Sequence, residues 1–372
     1  MKLSLILFLV CIPLGIILKA KGDSPQIRKT YIFMFLTFVC FLSTFRSTDV
    51  GSDTFGYFEL AQDIYHSDMH ELWYQTLHRY SGSTNTRDMG YFMLVKIIQF
   101  FTPNFIFLSF VLSLFYLIPF GKFLNRFSSN MMQLIFAFSL YAALFSGNTM
   151  CGSRQQVASG FTLLSLIAIA DKKYVKSYIL ILLGSLMHQT ALIFFAVPIV
   201  AQFFPKMVKK FHAISFFFIP VSILFASQII LLMANVSGNE RYAVYGKAAD
   251  ELGGGGTFVV LLEFLSLVCY IGLKKDFLES NKHVKLLYVM TPFLTILGPL
   301  VLFDGAMMRL CKYFHLYLVL LVPNAIEQLL KKENVKTAYV MSIIVLLLLT
   351  ISGSGGNKFE FIWNDIYYYE IV

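Results

Sequence analysis

The chain has 372 residues, of which 57% are hydrophobic and 14% charged, and its mean hydropathy is +0.70. A soluble domain carries about 25% charged residues, so a water-soluble globular fold is excluded. The formal net charge of +9 reads as basic loops on the cytoplasmic side of a membrane rather than as a nucleic-acid surface.

A membrane-crossing helix needs about 20 mainly apolar residues. In chain order such stretches fall near 3–19, 30–45, 104–121, 130–147, 154–170, 212–235, 257–273, 286–303, 308–328 and 337–351. The first has only Lys2 ahead of it and Lys19 and Lys21 behind, the flanks of a retained anchor rather than a cleaved signal. Residues 90–102 are apolar but short and carry Lys96. They predict an amphipathic helix lying on the outer surface, inside a first extracytoplasmic loop spanning 46–103. Residues 177–204 lie between two basic loops and predict a short helical hairpin turning near His188, with one long span as the alternative. With the hairpin, the chain forms one all-α polytopic domain over 1–372, with about 12 transmembrane helices and both termini outside. The inner loops (19–29, 122–126, 172–176, 206–210, 274–285 and 331–336) then hold 19 of the 30 basic residues, which sets the orientation. The five cysteines are scattered, four in or near apolar stretches and Cys151 in a loop, without the spacing of a disulfide framework or a zinc site. Gly253–Gly256 reads as a short link, since no Lys-Ser/Thr follows it.

Ionisable groups at a membrane boundary cost free energy unless paired or hydrated. The expected outer face nevertheless gathers Arg46, Asp49, Asp53, Arg87, Asp88, Arg154, His188, Arg241, Asp304 and Arg309 from six separate segments. In TDVGSDTFGY (48–57), Asp49 or Asp53 can act as general base toward a sugar hydroxyl; the competing reading is a helix cap by Asp53 or Thr54. Arg154 opens a span in CGSRQQVA (151–158), as a phosphate partner or as an interfacial anchor. His188, in an apolar stretch, is either a site residue facing a wet cavity or a histidine bonded to backbone. Arg309, with Lys312 following, suggests an anion site; Arg241 and Tyr245 lie in a loop where solvation alone explains an arginine. His66, Asp68 and His70 have metal-like spacing only if they share a helix, and neither a metal site nor a cofactor is expected. Glu263, within a span, is read as a protonated packing residue.

The order and content of these segments resemble the EpsG family of exopolysaccharide polymerases, related in role to the Wzy O-antigen polymerases. The likeness rests on Arg46, Gly51, Asp53, Thr54 and Tyr57; on Arg154, Gln155 and Ala158; on His188, Thr190 and Ala191; and on Arg309, Tyr313 and Phe314. Asp88, Gly90 and Tyr91 would fill an element ending the first loop, with Asp where the family pattern leads one to expect Glu. The family's C-terminal Tyr-Pro-Tyr is absent, and Tyr367–Tyr369 is a loose echo. The resemblance implies a glycosyltransferase-C-like membrane fold with a large first outer loop. It also implies transfer of a growing glycan from polyprenyl pyrophosphate to the next lipid-linked repeat unit, for O-antigen, capsule or exopolysaccharide. Asp53 would be the base, with Asp49 and His188 as competitors. Arg154 and Arg309 would hold the pyrophosphate with help from Arg241, and Arg46, Gln155, Tyr57, Asp88 and Tyr313 would complete the substrate site. The implied partners are polyprenyl-pyrophosphate-linked oligosaccharides, membrane lipids, a flippase and a chain-length regulator, with no nucleic acid. The implied place is the bacterial cytoplasmic membrane with the site facing outward. Two other activities compete: a polysaccharide O-acyltransferase and a lipid-linked oligosaccharide flippase.

Overall fold

The computed structural model describes residues 1–79, 88–237, 256–303, 307–352 and 358–365. Regular structure among them is helical, and extended pairing is limited there to two isolated bridges, Lys2 with Lys358 and Arg46 with Phe361. Among the described residues, five helical stretches are long and apolar enough to cross a membrane: Leu3–Ala20, Pro25–Thr44, Phe105–Phe127, Lys282–Leu302, which runs through three consecutive helical pieces, and Lys332–Ser352. The chain divides into two compact units, Met1–Phe194 with Val340–Val372, and Phe195–Tyr339.

The first unit contains α1 (Leu3–Ala20), α2 (Pro25–Thr44), α3 (Thr54–His66), α4 (Met69–Arg79), α5 (Met89–Gln99), α6 (Phe105–Phe127), α7 (Met131–Leu140), α8 (Gly147–Met150), α9 (Ser153–Ala170) and α10 (Tyr174–Met187). Three of these helices start at a side-chain cap. Ser24 accepts from the Ile27 amide ahead of Pro25, and Asn104 and Asn130 do the same for α6 and α7. α2 packs on α6, α1 on α7, and α9 lies against both α6 and α10. The expected span 130–147 is interrupted. A π-helical turn at Tyr141–Phe145 follows α7, and the Tyr141 hydroxyl meets Thr149 Oγ1 at 3.0 Å in the short α8. Such π turns leave one backbone step out of register, and here α8 leads directly into the loop before α9.

Between the long helices, α3 and α5 pack through one shared apolar cluster. α5 buries Tyr91, Phe92, Val95 and Ile98, spaced as one helical face, against Phe58, Ala61 and Ile64 of α3 and Phe105 and Leu108 of α6. On its other side, Lys96 Nζ donates to the carbonyls of Ile64, Tyr65 and Ser67 at 2.8–3.0 Å, satisfying the open C-terminal end of α3. His66 ends α3 and His70 lies in the first turn of α4. The shared helix that a metal-like reading of His66, Asp68 and His70 requires is therefore not formed.

In the second unit, three expected spans are broken helices. Residues 212–235 divide at Phe225 into Val208–Leu224 and Ala226–Ser237. Residues 286–303 divide into Lys282–Tyr288, Met290–Leu297 and a 3-10 turn at Gly298–Leu302. Pro292 cannot donate to the Tyr288 carbonyl, which places the first break, and Pro299 opens the 3-10 turn. Residues 308–328 divide into Met308–His315 and Leu318–Leu329. Inside this unit, buried His212 bonds Tyr288 through Nδ1 at 2.6 Å and Ser266 through Nε2 at 2.9 Å, and Ser266 continues to Thr295 at 2.7 Å. Glu263 is half-buried, with its carboxylate oxygens shielded against Gly298, where a side chain would collide with them.

Candidate active site

The site in the first unit forms where three chain segments meet: the start of α5, the start of α9 and the end of α10. Asp88 occupies the N-cap position of α5 in the left-handed region, with φ 63° and ψ 42°. Asp tolerates this conformation better than most residues. It allows the Asp88 carbonyl to accept the Tyr91 amide at 2.9 Å while its side chain turns away from its own helix. The carboxylate is buried and receives three hydrogen bonds. Oδ2 accepts from Arg154 Nη1 at 3.2 Å and from His188 Nδ1 at 3.0 Å, and Oδ1 accepts from the Gln189 amide at 3.0 Å. Burial pushes the Asp88 carboxyl up. The His188 hydrogen bond, the charges of His188 and Arg154 and the Gln189 amide outweigh it, holding Asp88 below the usual carboxylate value.

His188 follows the last residue of α10 in an extended conformation, φ −156° and ψ 114°, and its amide closes the helix on Gly184. A carboxylate only accepts, so the contact with Asp88 puts the imidazole proton on Nδ1 and leaves Nε2 with its lone pair in the neutral ring. Nε2 is shielded from solvent and has no hydrogen-bond partner among the described residues. A buried polar atom without a partner is unusual in a folded protein, and here that nitrogen belongs to the ring held by Asp88.

Arg154 lies in the first turn of α9. Its Nε donates to the Tyr57 hydroxyl at 3.4 Å, and the guanidinium stands 5.7 Å above the Tyr57 ring. Tyr57 in turn meets Tyr91 edge-on at 5.8 Å. The Arg154 side chain is 33% exposed, so the cation keeps an open side. Gln155, next to it, is buried.

The close approach of α5 to α10 depends on Gly90. A β-carbon there would lie 2.7 Å from both Cβ and the carbonyl oxygen of Leu186. Gly90 and Leu186 each stand two residues from the carboxylate–histidine pair, so the missing side chain sets that pair's distance.

Beside this cluster, the loop 46–53 packs on residues 150–152. Arg46 is buried, bonded through Nη1 to the Ser43 carbonyl and to Ser43 Oγ at 3.1 Å, and through Nε to Thr54 Oγ1 at 3.4 Å. Gly51, at φ 97°, lies against the Met150 carbonyl and Cys151. Asp53 is half-buried and accepts from Ser52 Oγ at 3.3 Å; its Oδ2 is 4.0 Å from the point where a β-carbon on Gly152 would stand. This sets Asp53 beside the N-terminal end of α9, which favours a carboxylate. The capping alternative is not realised: Asp53 makes no side-chain cap bond, and the Thr54 hydroxyl donates to the Val50 carbonyl at 2.6 Å. Asp49 is exposed.

Of the expected site residues, Tyr57, Asp88, Arg154 and His188 come together directly, and Arg46, Asp49 and Asp53 line the adjoining loop. Arg309 and Tyr313 belong to the second unit, on Met308–His315, where Arg309 is exposed and Tyr313 buried. Arg87, Arg241, Tyr245, Asp304 and Tyr367–Tyr369 lie outside the described residues. The sequence names Asp88 and Gly90 in the element ending the first loop, but it marks neither Asp88 as the centre of the cluster nor the Gln189 amide as its partner. Its partners are 66 and 100 residues away, and no local pattern marks such a pairing.

Membrane-length apolar helices, many shorter ones, and a buried carboxylate bonded to a histidine and an arginine mark an all-α polytopic membrane protein with a buried polar cluster. The EpsG family profile matches residues 29–362, and the chain belongs to the EpsG family. Membership suggests a membrane polymerase of exopolysaccharide or oligosaccharide repeat units, with glycosyltransferase-like chemistry. No curated protein and no solved structure gives a match.

Proposed function

We propose that the chain polymerises polyprenyl-pyrophosphate-linked oligosaccharide repeat units on the outer face of the bacterial cytoplasmic membrane. The proposed fold has twelve crossings in a glycosyltransferase-C-like arrangement. The observation that carries the reading is the joining of His188 and Arg154 through Asp88. Glycosyl transfer from a pyrophosphate needs a base for the acceptor hydroxyl and positive charge for the departing anion, and these residues supply both. The acceptor oxygen attacks the anomeric carbon of the donor, and the bond from that carbon to the pyrophosphate oxygen breaks. The hydroxyl proton passes to His188 Nε2, and polyprenyl pyrophosphate leaves as an anion beside Arg154. Asp88 holds the imidazole in the required tautomer and stabilises the imidazolium that forms, as the carboxylate of a hydrolase triad does.

The geometry favours His188 over Asp53 and Asp49 as the base. His188 has an oriented lone pair, whereas Asp53 sits beside the N-terminal end of α9 and Asp49 is exposed. The test is polysaccharide chain length on a gel, in a deletion strain complemented with wild type, His188→Ala, Arg154→Ala or Asp53→Asn at matched membrane levels. Single repeat units with His188→Ala and long chains with Asp53→Asn are expected. Long chains with His188→Ala would refute the assignment.

One observation favours a transporter instead: the shielded carboxylate of Glu263 and the His212–Ser266–Thr295 chain lie within apolar helices of the second unit. Deletion would then abolish surface glycan and accumulate lipid-linked units inside the cell. Long chains lacking only an acyl substituent would point to the acyltransferase.

A further inference from the structure

The helix Lys332–Ser352 ends with its Thr350 and Ile351 carbonyls each accepting from Lys2 Nζ at 3.1 Å. The segment Lys358–Asp365 then lies along the start of the first loop, within the same unit. The Phe359 amide donates to the Met1 carbonyl at 3.0 Å, the Ser47 amide to the Glu360 carbonyl at 2.9 Å, and the Ile362 amide to the Phe45 carbonyl at 2.9 Å. The Phe361 and Trp363 rings stack at 4.3 Å, and Trp363 also meets Phe45. Two side chains fasten this strap. Ile362 is buried in the cluster shared by α3 and α5, the helices that carry Tyr57 and follow Asp88. Asp365 is 8% exposed, and its Oδ2 accepts from Ser47 Oγ at 2.9 Å, the Thr48 amide at 2.6 Å and Thr48 Oγ1 at 2.7 Å. Ser47 Oγ in turn accepts the Asp49 amide at 3.2 Å, and the Ser47 carbonyl accepts the Val50 amide at 3.0 Å.

A carboxylate that takes three donors from two adjacent residues fixes the direction in which the chain leaves them. The next residues are Asp49, Gly51 and Asp53, the stretch that packs on Met150 and Cys151 just ahead of Arg154. The family match ends at residue 362, so Asp365 lies beyond it. We propose that Asp365 is a positioning residue of the reaction: the strap clamps the 47–53 loop against the start of α9 and so holds the substrate site in its working shape. This inference rests on the polymerase reading.

The chain carries its own probe for the clamp. Cys11, Cys40, Cys269 and Cys311 are buried, while Cys151 is partly exposed and lies 3.1 Å from the position of a β-carbon on Gly51. Loosening the loop therefore uncovers Cys151. The experiment compares wild type, Asp365→Ala, Asp365→Asn and His188→Ala in reconstituted membranes at matched protein. Two quantities are read: the rate of maleimide labelling at Cys151, and the rate and half-saturating concentration for polymerisation of lipid-linked repeat units. Loss of three charge-assisted bonds is expected to raise labelling on the order of ten-fold in Asp365→Ala. The polymerisation rate should fall on the order of ten-fold with little change in half-saturation. Asp365→Asn, which keeps one accepting oxygen, should fall between. His188→Ala should lose polymerisation with labelling unchanged. Unchanged labelling in Asp365→Ala overturns the clamp. Raised labelling with wild-type polymerisation overturns the positioning role while His188→Ala still tests the site. If His188→Ala also polymerises normally, the function reading fails, and the positioning role with it.

Discussion

Adding one methyl group behind the Asp88–His188 pair tests the proposed chemistry without removing a functional group. In Gly90→Ala the new β-carbon would stand 2.7 Å from Cβ and the carbonyl oxygen of Leu186, and 2.9 Å from its carbonyl carbon. Two of these three atoms are backbone and the third is fixed to it, so no rotamer change relieves the overlap. Ordinary carbon contacts begin at about 3.5 Å, and the start of α5 must therefore retreat from the end of α10 by about 0.8 Å. Asp88 Oδ2 and His188 Nδ1 are now 3.0 Å apart. The same displacement takes them to about 3.8 Å, beyond a hydrogen bond. The imidazole then loses its fixed tautomer, and the rate of repeat-unit addition is expected to fall about 10²–10⁴-fold, the range of general-base catalysis. The overpacking itself costs about 1–3 kcal/mol, so membrane level must be measured beside the rate. Gly56→Ala is the matched control: nothing lies within 4 Å of a β-carbon there, in the first turn of α3 as Gly90 is in the first turn of α5. It should be neutral or stabilise by about 0.5–1 kcal/mol. A Gly90→Ala protein that is present at normal level and polymerises at the wild-type rate refutes the role of the Asp88–His188 pair.

Four other outcomes follow from the same contacts. Asp88 has a folded value below its unfolded one, so its stabilisation is complete above the ordinary carboxylate value near 3.9 and is lost as pH falls through the lower folded value. The difference in thermal midpoint between wild type and Asp88→Asn in detergent should accordingly be constant near neutrality and shrink in strong acid; a gap that widens in acid contradicts this. Arg46→Lys should reduce membrane level several-fold, since a single amine cannot span the Ser43 and Thr54 contacts, whereas Arg154→Lys should keep the level and slow polymerisation about ten-fold, both read by immunoblot and chain-length gel. Lys96→Met should cost about 1–2 kcal/mol and speed hydrogen exchange at the end of α3, around Ile64–Ser67, with α9 unaffected. A membrane-impermeant maleimide applied to intact cells should label Cys151, and labelling only after lysis would reverse the proposed orientation.

The helices were largely legible because their signal is local. Expected spans at 3–19, 154–170 and 257–273 differ by about a residue at each end from Leu3–Ala20, Ser153–Ala170 and Gly256–Gly272, since apolar runs ending at polar or basic residues mark their own limits. The breaks were less legible. Pro292 and Pro299 are visible in the sequence, but proline within an apolar run either bends a helix or divides it, and packing decides which. α6 continues through Pro119 while the run at 286–303 divides. The site was legible as a set of residues and not as a geometry. Asp53 drew attention because it sits in the densest motif; Asp88, reached through a left-handed turn, drew little, yet its carboxylate collects Arg154, His188 and the Gln189 amide.

Burial also separates Arg46 from Arg154. Arg46 is 6% exposed, and its donors are engaged by the Ser43 carbonyl, Ser43 Oγ and Thr54 Oγ1. A fully buried cation of this kind is held by oxygens of its own fold, and breaking it leaves an uncompensated charge. Its work is therefore to tie the end of α2 to the start of α3, which fixes where the 47–53 loop begins. Arg154 keeps one face in contact with Tyr57, one nitrogen on Asp88 and an open side. Pairing with Asp88 neutralises it only in part, because the same carboxylate oxygen also accepts from His188. In the proposed reaction, His188 would become a cation competing for Asp88 once it took up the acceptor's proton. That competition would loosen the Asp88 hold on Arg154 as the departing pyrophosphate gained negative charge. A carboxylate shared in this way would couple proton uptake to anion stabilisation in the proposed mechanism, which two separate ion pairs would not do.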